Sequence, residues 1–284
     1  MRTIRAVAEL RAALAPHRRQ GDTIGLVPTM GAFHEGHLSL MRRARAECDV
    51  VVVSLFVNPT QFNQSRDLAS YPRDEARDEA LAADAGVDFL FAPPEDEVYP
   101  PGFATTVSVA GVTEVLEGVR RGRSHFDGVA TVVTKLLNMA MPDVAYFGQK
   151  DAQQAVVIKR LVRDLDMPVR IELGPTAREP DGLAMSSRNV HLSGMERPRA
   201  AAIHRALEAI SRAVAGGEHD PQRARAHGLA ELTSSGIEPE YLELVSAETL
   251  APVERIDGEV LALVAARVGD TRLIDNEPIP NGRP

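Results

Sequence analysis

The chain has 284 residues, which at ~150 residues per domain predicts one large domain or two modest ones. With 44% hydrophobic and 25% charged residues it is ordinary globular material, which excludes a disordered, collagenous or disulfide-scaffolded chain. A net charge of −8 and 4% aromatic content argue against nucleic acid as a partner, yet leave room for a local basic cleft around an anionic small ligand.

Arg2, Arg5, Glu9 and Arg11 stand where a signal peptide would need an apolar run. No uncharged apolar stretch approaches the ~18 residues of a membrane span. Residues 5–19 predict an amphipathic helix interrupted by Pro16, and Gly21-Asp22 turn into a strand at Thr23–Val27. A helix is expected from about Gly36 to Glu47. Cys48, the single cysteine, permits no internal disulfide, so a soluble cytoplasmic protein is expected. The β-branched run 50–57 reads as a strand buried in a parallel sheet. Further elements are expected as helix 73–85, strand 88–91, helix 128–139, strand 143–147, helix 151–165 and strand 169–173. Strands alternating with helices predict a Rossmann-like, doubly wound parallel α/β sheet.

The texture changes after Pro175. Two helical stretches fill 196–233, separated by Gly216-Gly217 and Pro221, and short apolar runs at 241–245, 260–268 and 272–275 predict a small antiparallel sheet. The expected division is a domain of residues 1–176 and an α+β domain of 177–284. The tail Pro278–Pro284 is expected to fray.

Four segments carry chemistry. In Pro28-Thr-Met30-Gly31-Ala32-Phe33-His34-Glu35-Gly36-His37, the histidines lie three apart at a strand-to-helix turn, where open α/β sheets bind ligands. The helix start offers N–H groups and partial positive charge to a phosphate, and both rings can donate to one anion. Capping histidines or a two-ligand metal site are the alternatives; no third His or Cys ligand completes a metal site. Asn58 and Gln61 follow the buried strand directly, and amides there can bind a polar substrate or simply form an Asn-Pro turn. Gly148-Gln149-Lys150-Asp151, with Gln154 one turn on, forms a second strand-to-helix junction. Met185-Ser186-Ser187-Arg188 sets two hydroxyls beside a guanidinium, a combination suited to a triphosphate.

The His-x-Gly-His pattern with the SSR loop resembles the HIGH-motif nucleotidylyltransferase superfamily. Joined by SLFVNPTQF, YPRD, GQKD and DGLAMSSRN, it closely resembles the pantoate–β-alanine ligase (pantothenate synthetase) family along essentially the whole chain. The resemblance implies ATP-dependent joining of (R)-pantoate to β-alanine with release of AMP and diphosphate, Mg²⁺, a cytoplasmic homodimer and a C-terminal lid. It implies ATP contacts from Met30 through His37, from Gly148, Gln149, Lys150 and Asp151, from Ala177 at an adenine hinge, and from Met185–Arg188. It implies pantoate binding by Gln61 and Gln154, with Asn58 beside them, and catalysis by His34, His37, Lys150, Ser186, Ser187 and Arg188. Two departures stand out. Gln149 replaces a common Glu, and Leu116–Phe126 is one residue longer than the family pattern and lacks its Pro, leaving open whether Arg121 or Arg123 is an exposed loop charge. Another HIGH-type nucleotidylyltransferase and an inactive nucleotide-binding regulator are the rival readings.

Overall fold

Alternating apolar strands and amphipathic helices fold, in the computed structural model, into a six-stranded parallel sheet and a separate three-stranded antiparallel one. The structure describes residues 1–63 and 65–279. Two units are distinguished: Met1–Gly148 with Gln153–Pro175, and Gln149–Ala152 with the chain from Thr176 on.

The parallel sheet is built in chain order from β1 (Arg2–Ile4), α1 (Val7–Gln20), β2 (Ile24–Thr29), α2 (Glu35–Glu47) and β3 (Val50–Leu55). Then come α3 (Ser65–Ala69), α4 (Glu75–Asp84), β4 (Phe89–Phe91), α5 (Glu95–Val98), α6 (Glu117–Arg121) and α7 (Arg123–Ala140). β5 (Val144–Gly148), α8 (Ala152–Asp164) and β6 (Arg170–Gly174) complete it. Strand order is β1-β4-β3-β2-β5-β6, and every pairing is parallel. Val50–Val53 are all buried, as expected where both faces of a parallel sheet are covered. The chain winds outward from β2 through β3 and β4, then crosses to β5 on the other side. The carboxyl ends of β2 and β5 therefore border the crevice where such sheets take ligands.

Several expectations need adjustment. α1 continues through Pro16 to Gln20. Pro16 lies on the exposed side, where the carbonyl it leaves without a donor can bond water. β1 is too short for a period to show, but it pairs with β4 at the sheet edge. α7 starts at Arg123, five residues before the predicted 128, because its first turn is polar.

In the second unit, α9 (Glu196–Ala200), α10 (Ala202–Ala215) and α11 (Pro221–Ser234) accompany β7 (Pro239–Ser246), β8 (Val260–Val268) and β9 (Thr271–Ile279). Ile203, Leu207 and Ile210 of α10 pack with Leu232, Leu242 and Val264 in one apolar cluster. β9 runs past the predicted 275, so Pro278 and Ile279 belong to a paired strand rather than to a frayed tail. The rest of that expected tail, 280–284, lies outside the described residues. Among the described residues no helix is long and apolar enough to cross a membrane.

Candidate active site

The loop leaving β2 is held by a carboxylate that the sequence did not single out. Gly31 (φ +85°) and Ala32 (φ +53°) take consecutive left-handed conformations. Buried Asp78 of α4 accepts from the Ala32 and Phe33 N–H groups, both at 2.7 Å. A Cβ on Gly31 would lie 2.9 Å from that carboxylate, so glycine serves both the turn and the close approach. Charge-assisted bonds of this kind are among the stronger ones. The loop reaches α2 with its geometry fixed.

At the helix start, Gly36 N–H donates to His34 Nδ1 at 3.1 Å and His34 N–H donates to His37 Nδ1 at 3.3 Å. The two rings lie 4.2 Å apart. A neutral imidazole that accepts through Nδ1 carries its proton on Nε2, so the bonding pattern assigns both histidines as Nε2–H donors. The Ala32, Phe33, His34 and Gly36 N–H groups are committed within the loop. Phe33 is 1% exposed and its ring packs in the core against His37, so Ala32 and Phe33 shape the loop. Glu35 is exposed and pairs with Arg42.

Asn58 is engaged on every side by its own protein. Its Nδ2 donates to Gln61 Oε1 at 3.0 Å and to the Gly128 carbonyl at 3.1 Å. Its Oδ1 accepts from Tyr99 OH at 2.8 Å and from Thr60 Oγ1 at 2.9 Å. At 1% exposure its hydrogen bonds are made inside the protein, and one of them holds Gln61. Gln61 Nε2 reaches Met30 Sδ at 3.1 Å, which joins the two predicted segments. Behind the turn, His125 Nδ1 bonds the Gln61 carbonyl at 2.7 Å. A Cβ on Gly128 would meet the Thr60 carbonyl at 2.5 Å, so α7 can pack this tightly only through glycine. Burial pushes the Tyr99 phenol up, which keeps it a hydrogen-bond donor.

Gly148 ends β5 at the same sheet edge. Two adjacent glutamines in α8 have opposite fates. Gln153, buried, donates to the Val112 and Val115 carbonyls at 2.8 Å each and accepts from Glu117 N–H at 3.0 Å. It pins the lengthened loop. Gln154 is half-buried, and its side chain has no hydrogen bond among the described residues. In that loop Arg121 pairs with buried Glu117 at 2.9 Å, whereas Arg123 is 63% exposed. Arg123 is the surface charge.

Within the second unit, Lys150, Ser186, Arg188, Arg272 and Asp275 line one small cavity with Leu183 and Ile203. Three of the predicted catalytic groups are thus brought together. Ser186 Oγ accepts from Arg188 N–H at 3.3 Å and caps the short helical turn Ser187–His191; Ser187 itself is exposed. The Ala177 carbonyl accepts from Met185 N–H at 2.9 Å, so the expected adenine hinge and the SSR loop are two arms of one hairpin. Asp151 lies 4.0 Å from Lys150 Nζ and is half exposed. Gln149 Nε2 donates to Asn276 Oδ1 at 2.8 Å, a bond that a glutamate could not donate.

Sequence reasoning missed Asp78, Gln153, Arg272, Asp275 and Asn276. A signal existed for the first, because Asp78 and Ala82 share the buried stripe of α4 and a carboxylate there demands donors. Among the described residues no three His, Cys, Asp or Glu side chains are grouped to hold a metal ion.

Sheet order and the His34-Glu35-Gly36-His37 loop define a Rossmann-like chain of the HIGH-motif class. Residues 2–278 match the family model for pantoate-beta-alanine ligase. The pantothenate synthetase of Cereibacter sphaeroides is 55% identical over 277 residues, covering 97% of this chain and 99% of that one. That of Moorella thermoacetica is 52% identical over 97% and 98%. The crystal structure of pantothenate synthetase from Thermus thermophilus superimposes with a TM-score of 0.91 at 47% identity, over 98% of this chain and 99% of that one. The Francisella tularensis pantoate-beta-alanine ligase, solved with beta-gamma ATP and beta-alanine, gives 0.79 at 34% identity, over 98% and 97%. This chain belongs to the pantoate–β-alanine ligase family.

Proposed function

We propose that the protein condenses (R)-pantoate with β-alanine to pantothenate, using ATP and releasing AMP and diphosphate through a pantoyl adenylate. The observation that carries this reading is the family match over residues 2–278, joined by two imidazoles held through Nδ1 at the start of α2, whose other ring nitrogens are of the donor type. Such donors suit a phosphate that gains charge as diphosphate leaves.

In the first step, the pantoate carboxylate is already ionised and attacks the α-phosphate without a general base. Alignment and charge neutralisation supply the catalysis. Gln61 and Gln154 are assigned to orient pantoate. His34, His37, Lys150, Ser186, Ser187 and Arg188 are assigned to the triphosphate, with Ala177 and Met185 at the adenine. Mg²⁺ is assigned to the substrate as the ATP chelate, because this ion is commonly held through phosphates and water with few carboxylates. In the second step, the amine of β-alanine attacks the acyl carbonyl and AMP departs. Residues 1–176 are assigned ATP and pantoate binding and 177–284 the lid role, in a cytoplasmic homodimer.

Product analysis tests this reading. With ATP, Mg²⁺, pantoate and β-alanine the expected products are AMP, diphosphate and pantothenate, and omission of either organic substrate should abolish pantothenate. A nucleotide retained in the product, or no turnover, would overturn it.

A further inference from the structure

Asn276 of β9, at 1% exposure, makes three hydrogen bonds to the turn that carries Lys150. Its Nδ2 donates to the Gln149 and Lys150 carbonyls, both at 2.9 Å. Its Oδ1 accepts from Gln149 Nε2 at 2.8 Å. A primary amide supplies two donors and an acceptor on one short stem, and all three serve the turn Gln149–Asp151.

Asn276 is itself fixed. Its N–H donates to Asp275 Oδ1 at 2.8 Å, and Asp275 is gripped by Arg178 through bonds of 2.6 and 3.2 Å. Both residues lie in register with β8, Asp275 opposite Val264 and Asn276 opposite Leu263. A paired strand is a rigid base from which to hold a functional group. Lys150 needs such a base, since its ammonium stands at the end of a flexible four-carbon stem and faces the cavity shared with Ser186 and Arg188.

We propose that Asn276 is a positioning residue for adenylation, fixing the backbone from which Lys150 reaches the nucleotide phosphates. The inference rests on the ligase reading. Asn276→Asp keeps size and acceptor but turns an oxygen toward two carbonyls. Asn276→Ala removes the clamp without burying a charge.

The test measures diphosphate release in a single turnover with ATP, Mg²⁺ and pantoate, and separately the aminolysis of supplied pantoyl adenylate by β-alanine. Displacements near 1 Å can cost ~10²-fold, so both variants should adenylate at least ~10-fold more slowly. Aminolysis should change by less than ~2-fold, and Asn276→Ala should add less than ~2-fold in a Lys150→Ala background, because residues acting as a unit are not additive. A folded variant with wild-type adenylation, equal losses in both half-reactions, or a full second loss in the Lys150→Ala background would overturn the proposal. So would failure of both variants to fold, which would make Asn276 a fold residue. If the wild type forms no adenylate, the ligase reading itself fails and this inference falls with it.

Discussion

Asn58 Nδ2 and Gln61 Oε1 share a hydrogen bond of 3.0 Å, and that bond decides which way Gln61 faces. With its oxygen turned to Asn58, Gln61 presents Nε2 toward Met30. Asn58→Asp would set a carboxylate oxygen against both Gln61 Oε1 and the Gly128 carbonyl. The expected cost is about 1–3 kcal/mol of stability, as for other broken buried hydrogen bonds. Loss of Gln61 orientation should raise KM for pantoate at least ~10-fold, roughly the equivalent of 1.4 kcal/mol. Steady-state kinetics with pantoate varied, alongside a thermal melt, check both, and an unchanged KM would remove Asn58 from the site's support.

The Asp78 clamp makes a separate prediction. In Asp78→Asn one backbone N–H of the pair at Ala32 and Phe33 meets an amide donor instead of an oxygen, at a cost of about 1–3 kcal/mol. Gly31→Ala forces a Cβ into a left-handed residue, costing about 1–2 kcal/mol before the contact with Asp78 is counted. Denaturant titrations of both variants should show lowered midpoints. Wild-type midpoints would mean that the loop has another conformation in reach.

How much of this could be read from the sequence depended on the distance between partners. The run Val50–Val53 and the apolar stretch 260–268 announced strands because burial writes itself into neighbouring residues. His34 and His37 were legible for the same reason, since a capping geometry spans three positions. Asp78 and Ala32 are 46 residues apart, and Gln149 and Asn276 are 127 apart. No local period records such pairs. Asn58 was legible as an amide at a sheet edge, but its residue type does not say whether a substrate or Tyr99 and Gly128 will use it. Pro16 misled because its effect depends on whether the freed carbonyl faces water.

His34 combines a cap with a proposed phosphate contact, and one substitution separates them. Asparagine is a good N-cap, so His34→Asn should hold the start of α2 and melt close to the wild type. It lacks the Nε2–H donor, so adenylation should fall by at least ~10²-fold, as when a donor aimed at developing charge is lost. Rapid-quench measurement decides; near-normal adenylation in this variant would confine His34 to capping.

Cys48 gives the pH prediction. Its Sγ lies 3.3 Å from Tyr146 OH, which donates to Glu47 at 2.9 Å. Burial pushes both the thiol and the phenol up, whereas the hydrogen bond from Arg43 holds the Glu47 carboxylate low. A thiol raised in the folded state contributes stability below its unfolded value, and that contribution is lost as pH rises through the folded value. Stability should therefore decline above about pH 8.5. At pH 8 a thiol reagent should label Cys48 only as fast as the protein opens, and rapid stoichiometric labelling of the native protein would contradict the burial.

The central claim is a two-step ligase, and diphosphate release without the amine tests it most directly. Enzyme, Mg²⁺, ATP and pantoate in a quenched-flow experiment should release diphosphate in a burst near one equivalent per active site. The burst should then stall, because an acyl adenylate sequestered from water is not turned over. Adding β-alanine should restart turnover and yield AMP rather than ADP. Saturating pantoate with no burst before β-alanine arrives would contradict the two-step reaction.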